Sequence, residues 1–218
     1  MYIQYWPVGA TRPSLLPLSH GEISTHLLND WLPSFPATLA PLFFGWPEHL
    51  LEATHVDGHP HWVMDAQVRA TERQWKGVLS WMLGVAGTRH VLTSEGYRWI
   101  APLSAFYPGG RTVNTTGWHP NYPPGALAAT ADATVQSNLR PDYVAVRPDR
   151  AGGGHEFATA ESKGTGRALT RLAQCPRDWY NQARNVRLSF LGAQVPIARH
   201  IVVATRCNPD AITPRSRR

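Results

Sequence analysis

The stretch RPDYVAVRPDRAGGGHEFATAESKGTG, residues 140–166, constrains the fold more than any other part of the chain. Two runs rich in apolar and small residues, 141–146 and 155–163, flank a segment of Pro, Asp and Gly, which is the pattern of strand, turn, strand. In such a hairpin, residues whose numbers sum to about 302 face each other, so Asp142 falls across from about position 160, and opposed side chains lie ~5 Å apart. Side chains alternate between faces along a strand. Glu161 and Lys163 therefore share a face with Phe157 and Thr159, while Ala158, Ala160 and Ser162 line the other and let a helix approach closely. Two carboxylates and an ammonium converge at one end of the hairpin.

The flanking sequence supplies the other layers. Val68, Glu72, Trp75, Leu79 and Met82 recur at i, i+4, i+7, i+11 and i+14, which predicts a helix over 65–83. TRHVLTSEGYRWIAPL (88–103) reads as strand, turn, strand, with the turn at 94–96. After 164–166 a helical region is expected from 167 to 191, divided at Pro176, with Trp179, Ala183, Val186 and Phe190 on one face. ARHIVVAT (198–205) reads as a buried closing strand. The order predicts an α/β fold with a mixed central sheet flanked by helices, over residues 63–218. Residues 105–139, rich in turn formers, read as a surface insertion. Residues 1–62, rich in Pro and Trp, read as an accessory segment packed on the core, with short helices at 23–31 and 47–53.

Charge is uneven along the chain. Residues 1–138 carry 7 basic and 9 acidic groups, net −2, and residues 139–218 carry 14 and 6, net +8. A basic half on a near-neutral protein fits a polyanionic partner, most simply DNA. Arg167, Arg171, Arg177, Arg184 and Arg187, expected on the helices after the hairpin, are candidates for phosphate contacts that carry no sequence information. An arginine-rich surface without a partner is the plainer reading of the same charge. The two cysteines form no CxxC pair. The N-terminus has no basic, apolar signal pattern and no stretch is long and apolar enough for a membrane span, so a cytoplasmic protein without membrane contact is expected.

The converging carboxylates suit one task. Asp142, Glu161 and a main-chain carbonyl at Ser162, completed by waters, make an oxygen-only site for Mg²⁺, with Mn²⁺ able to substitute. Such a metal stabilises charge developing on a phosphate and lowers the pKa of a bound water. A lysine beside it would hold that water and offset phosphate charge. Of 21 Lys plus Arg in the chain only two are Lys, so a lysine at position 163 stands out.

PDYVAV followed, nineteen residues from Asp142 to Glu161, by ESK resembles the PD-(D/E)xK signature of restriction-endonuclease-like nucleases. The resemblance covers about residues 65–205 in the order αβββαβ. It implies a Mg²⁺-dependent endonuclease acting on DNA in restriction, phage defence or DNA processing, either as a homodimer or with a partner subunit. It further implies Asp142 and Glu161 as metal ligands, Lys163 as the catalytic lysine and Glu72 as the acidic residue some members carry on the first core helix. The Pro-rich N-terminus and the 105–139 insertion depart from the family core. No Gln-x-x-x-Tyr element is present, and Gln174 and Gln182 are loose candidates for DNA contacts.

Three other readings stand beside this one. Glu161 and Lys163 could form an exposed strand-end ion pair with Asp142 as a turn cap. The scaffold could serve as a catalytically inactive nucleic-acid or protein-interaction module. HVDGHPH places His55, Asp57, His59 and His61 at alternate positions, as zinc ligands of a metallohydrolase would be, although Gly58 and Pro60 favour a polar loop.

Overall fold

A computed structural model describes residues 2–6, 14–31, 51–56, 59–64, 73–103, 113–114, 126–130, 140–149, 153–165, 175–190 and 192–206. Its centre is a six-stranded mixed sheet in the order β2 (Ser14–Pro17), β1 (Tyr2–Trp6), β12 (Ile197–Arg206), β9 (His155–Thr165), β8 (Tyr143–Pro148), β5 (Trp99–Pro102). The hairpin read from the sequence is β8 and β9, antiparallel with Tyr143 opposite Ala160. β12 runs parallel to β9, pairing Val202 with Glu161. The far end of the hairpin is pinned by a cross-strand pair: Arg147 donates two 2.8 Å hydrogen bonds to the Glu156 carboxylate, and Tyr97 adds a third bond at 3.0 Å.

The long helix α2 (Arg73–Ser94) packs on one face of β9 and β12. Leu79, Met82, Leu83 and Ala86 of α2 join Ala145, Ala158, Ala160, Ile201 and Val203 in one core. The small residues of β9 make this close packing possible, as their spacing predicts. At the tightest crossing both chains are glycine: a Cβ on Gly84 would lie 2.9 Å from Gly164 N, and one on Gly164 would overlap the Ser80 carbonyl.

α2 ends later than its predicted 65–83, and residues 65–72 of that prediction lie outside the described residues. The apolar run expected as a strand at 88–93 is the helix's final turns, where buried Val91 and Leu92 continue the stripe. A short apolar run has no period of its own to separate strand from helix. The turn falls where expected, but it caps a helix: Gly96 at φ 88° lets Tyr97 N–H reach Leu92 O and Gly96 N–H reach Thr93 O, a Schellman motif. Glu72 and Val68 lie outside the described residues.

The N-terminal segment is built into the core. β1 pairs with β12 in the central sheet, and α1 (His20–Trp31) packs against α2. Ser19 and Glu22 cap α1 reciprocally: Ser19 N–H and Oγ–H donate to the Glu22 carboxylate at 2.7 and 2.8 Å, and Glu22 N–H donates to Ser19 Oγ at 3.3 Å. A helix expected at 47–53 is instead, from residue 51, the strand β3 (Leu51–Val56), paired with β4 (His59–Met64). The described residues of the histidine tract, read as a loop, thus lie on two paired strands, with His55 opposite Pro60 and Thr54 opposite His61. Pro60 is tolerated because, among the described residues, β3 and β4 pair only with each other, leaving one edge of each unpaired.

Beyond the hairpin, α3 (Arg177–Arg184) is shorter than expected and packs on the other face of β9 and β12. Pro176 precedes it as the N-cap residue. The segment after Asn185 is a strand, β10 (Arg187–Phe190), because buried Val186 and Leu188 alternate with exposed Arg187. That period-two alternation outweighs the helical spacing of Trp179, Ala183 and Val186. β10 lies in a second sheet with β11 (Ala193–Val195), β7 (Ala126–Thr130) and β6 (Val113–Asn114), so two pieces of the expected insertion are strands. From α2 onward the principal elements run helix, three strands, helix, strand, interrupted by the second sheet.

Candidate active site

Asp142, Glu161 and Lys163 come together at the end of β8–β9. Asp142 sits one position before the first paired residue of β8, and its N–H donates to Ala160 O at 3.0 Å. Its Oδ2 accepts the Ser162 N–H at 2.8 Å, which aims the carboxyl across the hairpin end. The residue is solvent-accessible as a whole, but its carboxyl is set among protein atoms, and that burial raises its pKa.

Glu161 is only 1% exposed. Burial first, and then the Asp142 charge, push its pKa up to about 8, against the lowering effect of Lys163. Oε1 touches the Lys163 ammonium, while Oε2 is fully buried without a hydrogen-bond partner. The reading of this pair as an exposed surface ion pair is therefore corrected. A buried carboxylate with an orphaned oxygen costs stability unless something satisfies it.

Lys163, one-quarter exposed, is held on its other side by Gln182 of α3. The ammonium donates to Gln182 Oε1 at 3.1 Å, and Gln182 Nε2 donates to Arg140 O at 3.0 Å. Both ends of the amide are thus assigned. Gln182, read from sequence as a loose DNA-contact candidate, bonds the lysine and the Arg140 carbonyl. Ser162 turns its hydroxyl to the α2 side, against Gly84, so only its main chain can serve the carboxylate face.

A second buried group, which sequence reasoning missed, supports the same corner. Arg89 of α2 donates to Asp30 Oδ1 of α1 at 3.0 Å, and Asp30 also bonds the Tyr143 phenol. Tyr143 follows Asp142 directly, so this network anchors the start of β8. No local pattern ties residues 30, 89 and 143 together; only packing α1 on α2 unites them.

Of the arginines proposed for phosphate contacts, Arg177, Arg184 and Arg187 are exposed, with Arg187 on β10 rather than on a helix. Arg167 and Arg171, like Gln174, lie outside the described residues. The side chains of His55, His59 and His61, and Asp57 altogether, are likewise not described. Among the described residues, no group of three or more His, Cys, Asp or Glu is placed to hold a metal, and no helix is long and apolar enough to cross a membrane.

The proton on Glu161 has a measurable consequence. The folded protein keeps it up to about pH 8, whereas an unfolded glutamate loses it near 4.5. Glu161 therefore costs nothing below the lower value, and costs more as pH rises through the window, by at most about 1.4 kcal/mol per pH unit. In EDTA, Glu161→Gln is expected to be more stable than wild type, with an advantage that grows from pH 5 to 8. Urea melts at several pH values read this directly, and an advantage independent of pH contradicts the assignment.

Comparison with protein-family models, with curated proteins and with solved structures returns no significant match for this chain.

Proposed function

We propose that this chain is a Mg²⁺-dependent nuclease of the PD-(D/E)xK type that hydrolyses phosphodiester bonds of DNA. The observation that carries the reading is Glu161: a buried carboxylate with an orphaned oxygen, next to a second carboxylate and an ammonium. The order helix, three strands, helix, strand, with the last strand parallel to the third, agrees with a restriction-endonuclease-like core.

The residues present fit a divalent cation. Mg²⁺ is commonly held by one or two carboxylates, with waters and substrate phosphate filling its other positions. Asp142 and Glu161 would hold it, and a cation there would satisfy Glu161 Oε2 and displace its proton. When bound, the ion supplies charge neutralisation at the phosphate and acidifies water. Lys163 donates a hydrogen bond toward the phosphate or the attacking water, from a position set by Gln182. The Asp30–Arg89–Tyr143 network and the Ser162 N–H keep Asp142 in place. Arg177, Arg184 and Arg187 attract the strand's phosphates.

Lys163→Arg separates attraction from chemistry. A guanidinium is planar, larger and always charged, so it cannot occupy the narrow space between Glu161 and Gln182 as an ammonium does. The variant is expected to keep DNA affinity in Ca²⁺ but to lose at least ~100-fold in single-turnover cleavage, the scale of one preorganised donor. The direct test incubates plasmid and single-stranded DNA with the protein in Mg²⁺, Mn²⁺ or EDTA. Cleavage that persists in EDTA, or none in either metal, rejects the proposal.

A further inference from the structure

On the carboxylate side of the central sheet, a cleft of about 430 Å³ lies between α3, β10, β11 and the start of β12. Its size is that of a small-molecule site and too small for a duplex. Its polar lining is Asn181, Arg184, Arg187, Gln194 and His200, and no carboxylate belongs to it among the described residues. Its apolar wall includes Val186, Val195 and Ile197.

Two contacts give the cleft fixed parts. The Arg184 guanidinium lies 5.5 Å from the Tyr180 ring centroid, a cation–π contact that restrains its plane. Thr159 Oγ donates its one hydrogen to Ala183 O at 2.6 Å, so at 2.8 Å His200 Nδ1–H must be the donor to Thr159 Oγ. That leaves Nε2 as the acceptor of the neutral ring.

The cleft is close to the carboxylates. His200 pairs with Thr159, two residues before Glu161 on the same face of β9. Two strand residues span ~7 Å, about the reach of one nucleotide along an extended, unpaired strand. One face of α3 carries Gln182 to Lys163, and the neighbouring face carries Asn181 and Arg184 to the cleft.

We infer that this cleft binds one unpaired nucleotide, one or two steps from the scissile phosphate, with its base on the apolar wall and its phosphate at Arg184 and Arg187. The amides of Asn181 and Gln194 and the acceptor of His200 can bond a base edge that pairing would hide. A paired base cannot enter without leaving its stack. The inference rests on the nuclease reading for its substrate, and it adds a preference for single-stranded or frayed DNA.

The test is equilibrium binding by fluorescence anisotropy, using the full chain in Ca²⁺ with labelled (dT)₁₂ and a labelled 12-base-pair duplex. Val195→Trp fills the cleft without changing charge, and Arg184→Ala/Arg187→Ala removes cations at exposed positions. Each variant is expected to weaken (dT)₁₂ binding on the order of 10-fold, Val195→Trp by the scale of one stacked base and Arg184→Ala/Arg187→Ala by the loss of its phosphate contacts. Val195→Trp should leave duplex affinity within about two-fold of wild type, by the same stacking argument. Competition by dTMP, stronger than by inorganic phosphate, identifies a site that also accepts a free nucleotide. Failure of dTMP to compete, with the variant losses intact, identifies a nucleotide held only as part of a strand. Either result supports the cleft. Equal losses on both DNAs in Val195→Trp, or unchanged (dT)₁₂ binding in both variants, overturns it. Because nothing in this assay is cleaved, variant losses in a protein that cuts no DNA would retain the cleft and reject the nuclease. Cleavage with unchanged variant binding would do the reverse.

Discussion

Glu161→Ala and Asp142→Ala are each expected to lower DNA cleavage by at least ~10³-fold, since a metal's charge stabilisation is worth several kcal/mol and each decade costs ~1.4 kcal/mol. The two variants should differ in what else they change. Glu161 is buried and holds a proton in the metal-free protein, so its removal leaves no unpaired charge but opens a cavity against Lys163. Asp142 accepts the Ser162 N–H, so alanine there also frees a main-chain donor at the hairpin end. Glu161→Gln and Asp142→Asn retain shape and separate ligation from packing. Single-turnover cleavage, with Mn²⁺ affinity measured by calorimetry, tests all four. Wild-type cleavage in either alanine variant would remove that residue from the metal site.

Gly164→Ala is expected to be the most damaging small change to the fold. A Cβ at this position would overlap the Ser80 carbonyl of α2, and main-chain atoms cannot swing aside as a side-chain tip can. Either α2 lifts from the sheet or the end of β9 shifts. Overpacking of this kind costs about 3 kcal/mol, the upper end of its usual range. For a chain of this size that lowers Tm by roughly 6 to 12 °C. The glycine follows Lys163, so a shift would also pull the ammonium from Glu161 and Gln182. Gly84→Ala, facing the same crossing, should destabilise less, because one of its two 2.9 Å neighbours is the Ser162 hydroxyl, which can rotate. Thermal melts of both variants check this, and a Gly164→Ala protein as stable as wild type would contradict the packing described.

The hairpin was legible because its information is local. The run 141–163 alternates with period two around a turn of Asp and Gly, and that alone puts Glu161 and Lys163 on one face, with Ala158, Ala160 and Ser162 on the other. The parallel closing strand was legible for the same reason: the run HIVVAT is apolar and β-branched throughout. Segments with two competing periods were not. VRLSF fits a helix stripe with Trp179 and Ala183, and it fits a strand; pairing with the neighbouring strands at 126–130 and 193–195, and packing of Leu188 against Val144, Val146 and Phe157 of the central sheet, decide between them. RHVL likewise became helix because α1 and the sheet bury Val91 and Leu92 on a continuing stripe.

What the sequence determined by itself is which chemical groups meet at the hairpin end, since strand alternation and a short turn leave little freedom there. Tertiary structure alone decided their state. α2 and α3 close over both faces of β9, and that exclusion of water makes Glu161 a buried, proton-holding carboxyl rather than half of a surface ion pair. It also recruits partners distant in the chain: Gln182 on the lysine, and Asp30 with Arg89 behind Tyr143. Burial and long-range contact depend on every layer at once, so no local pattern can encode them.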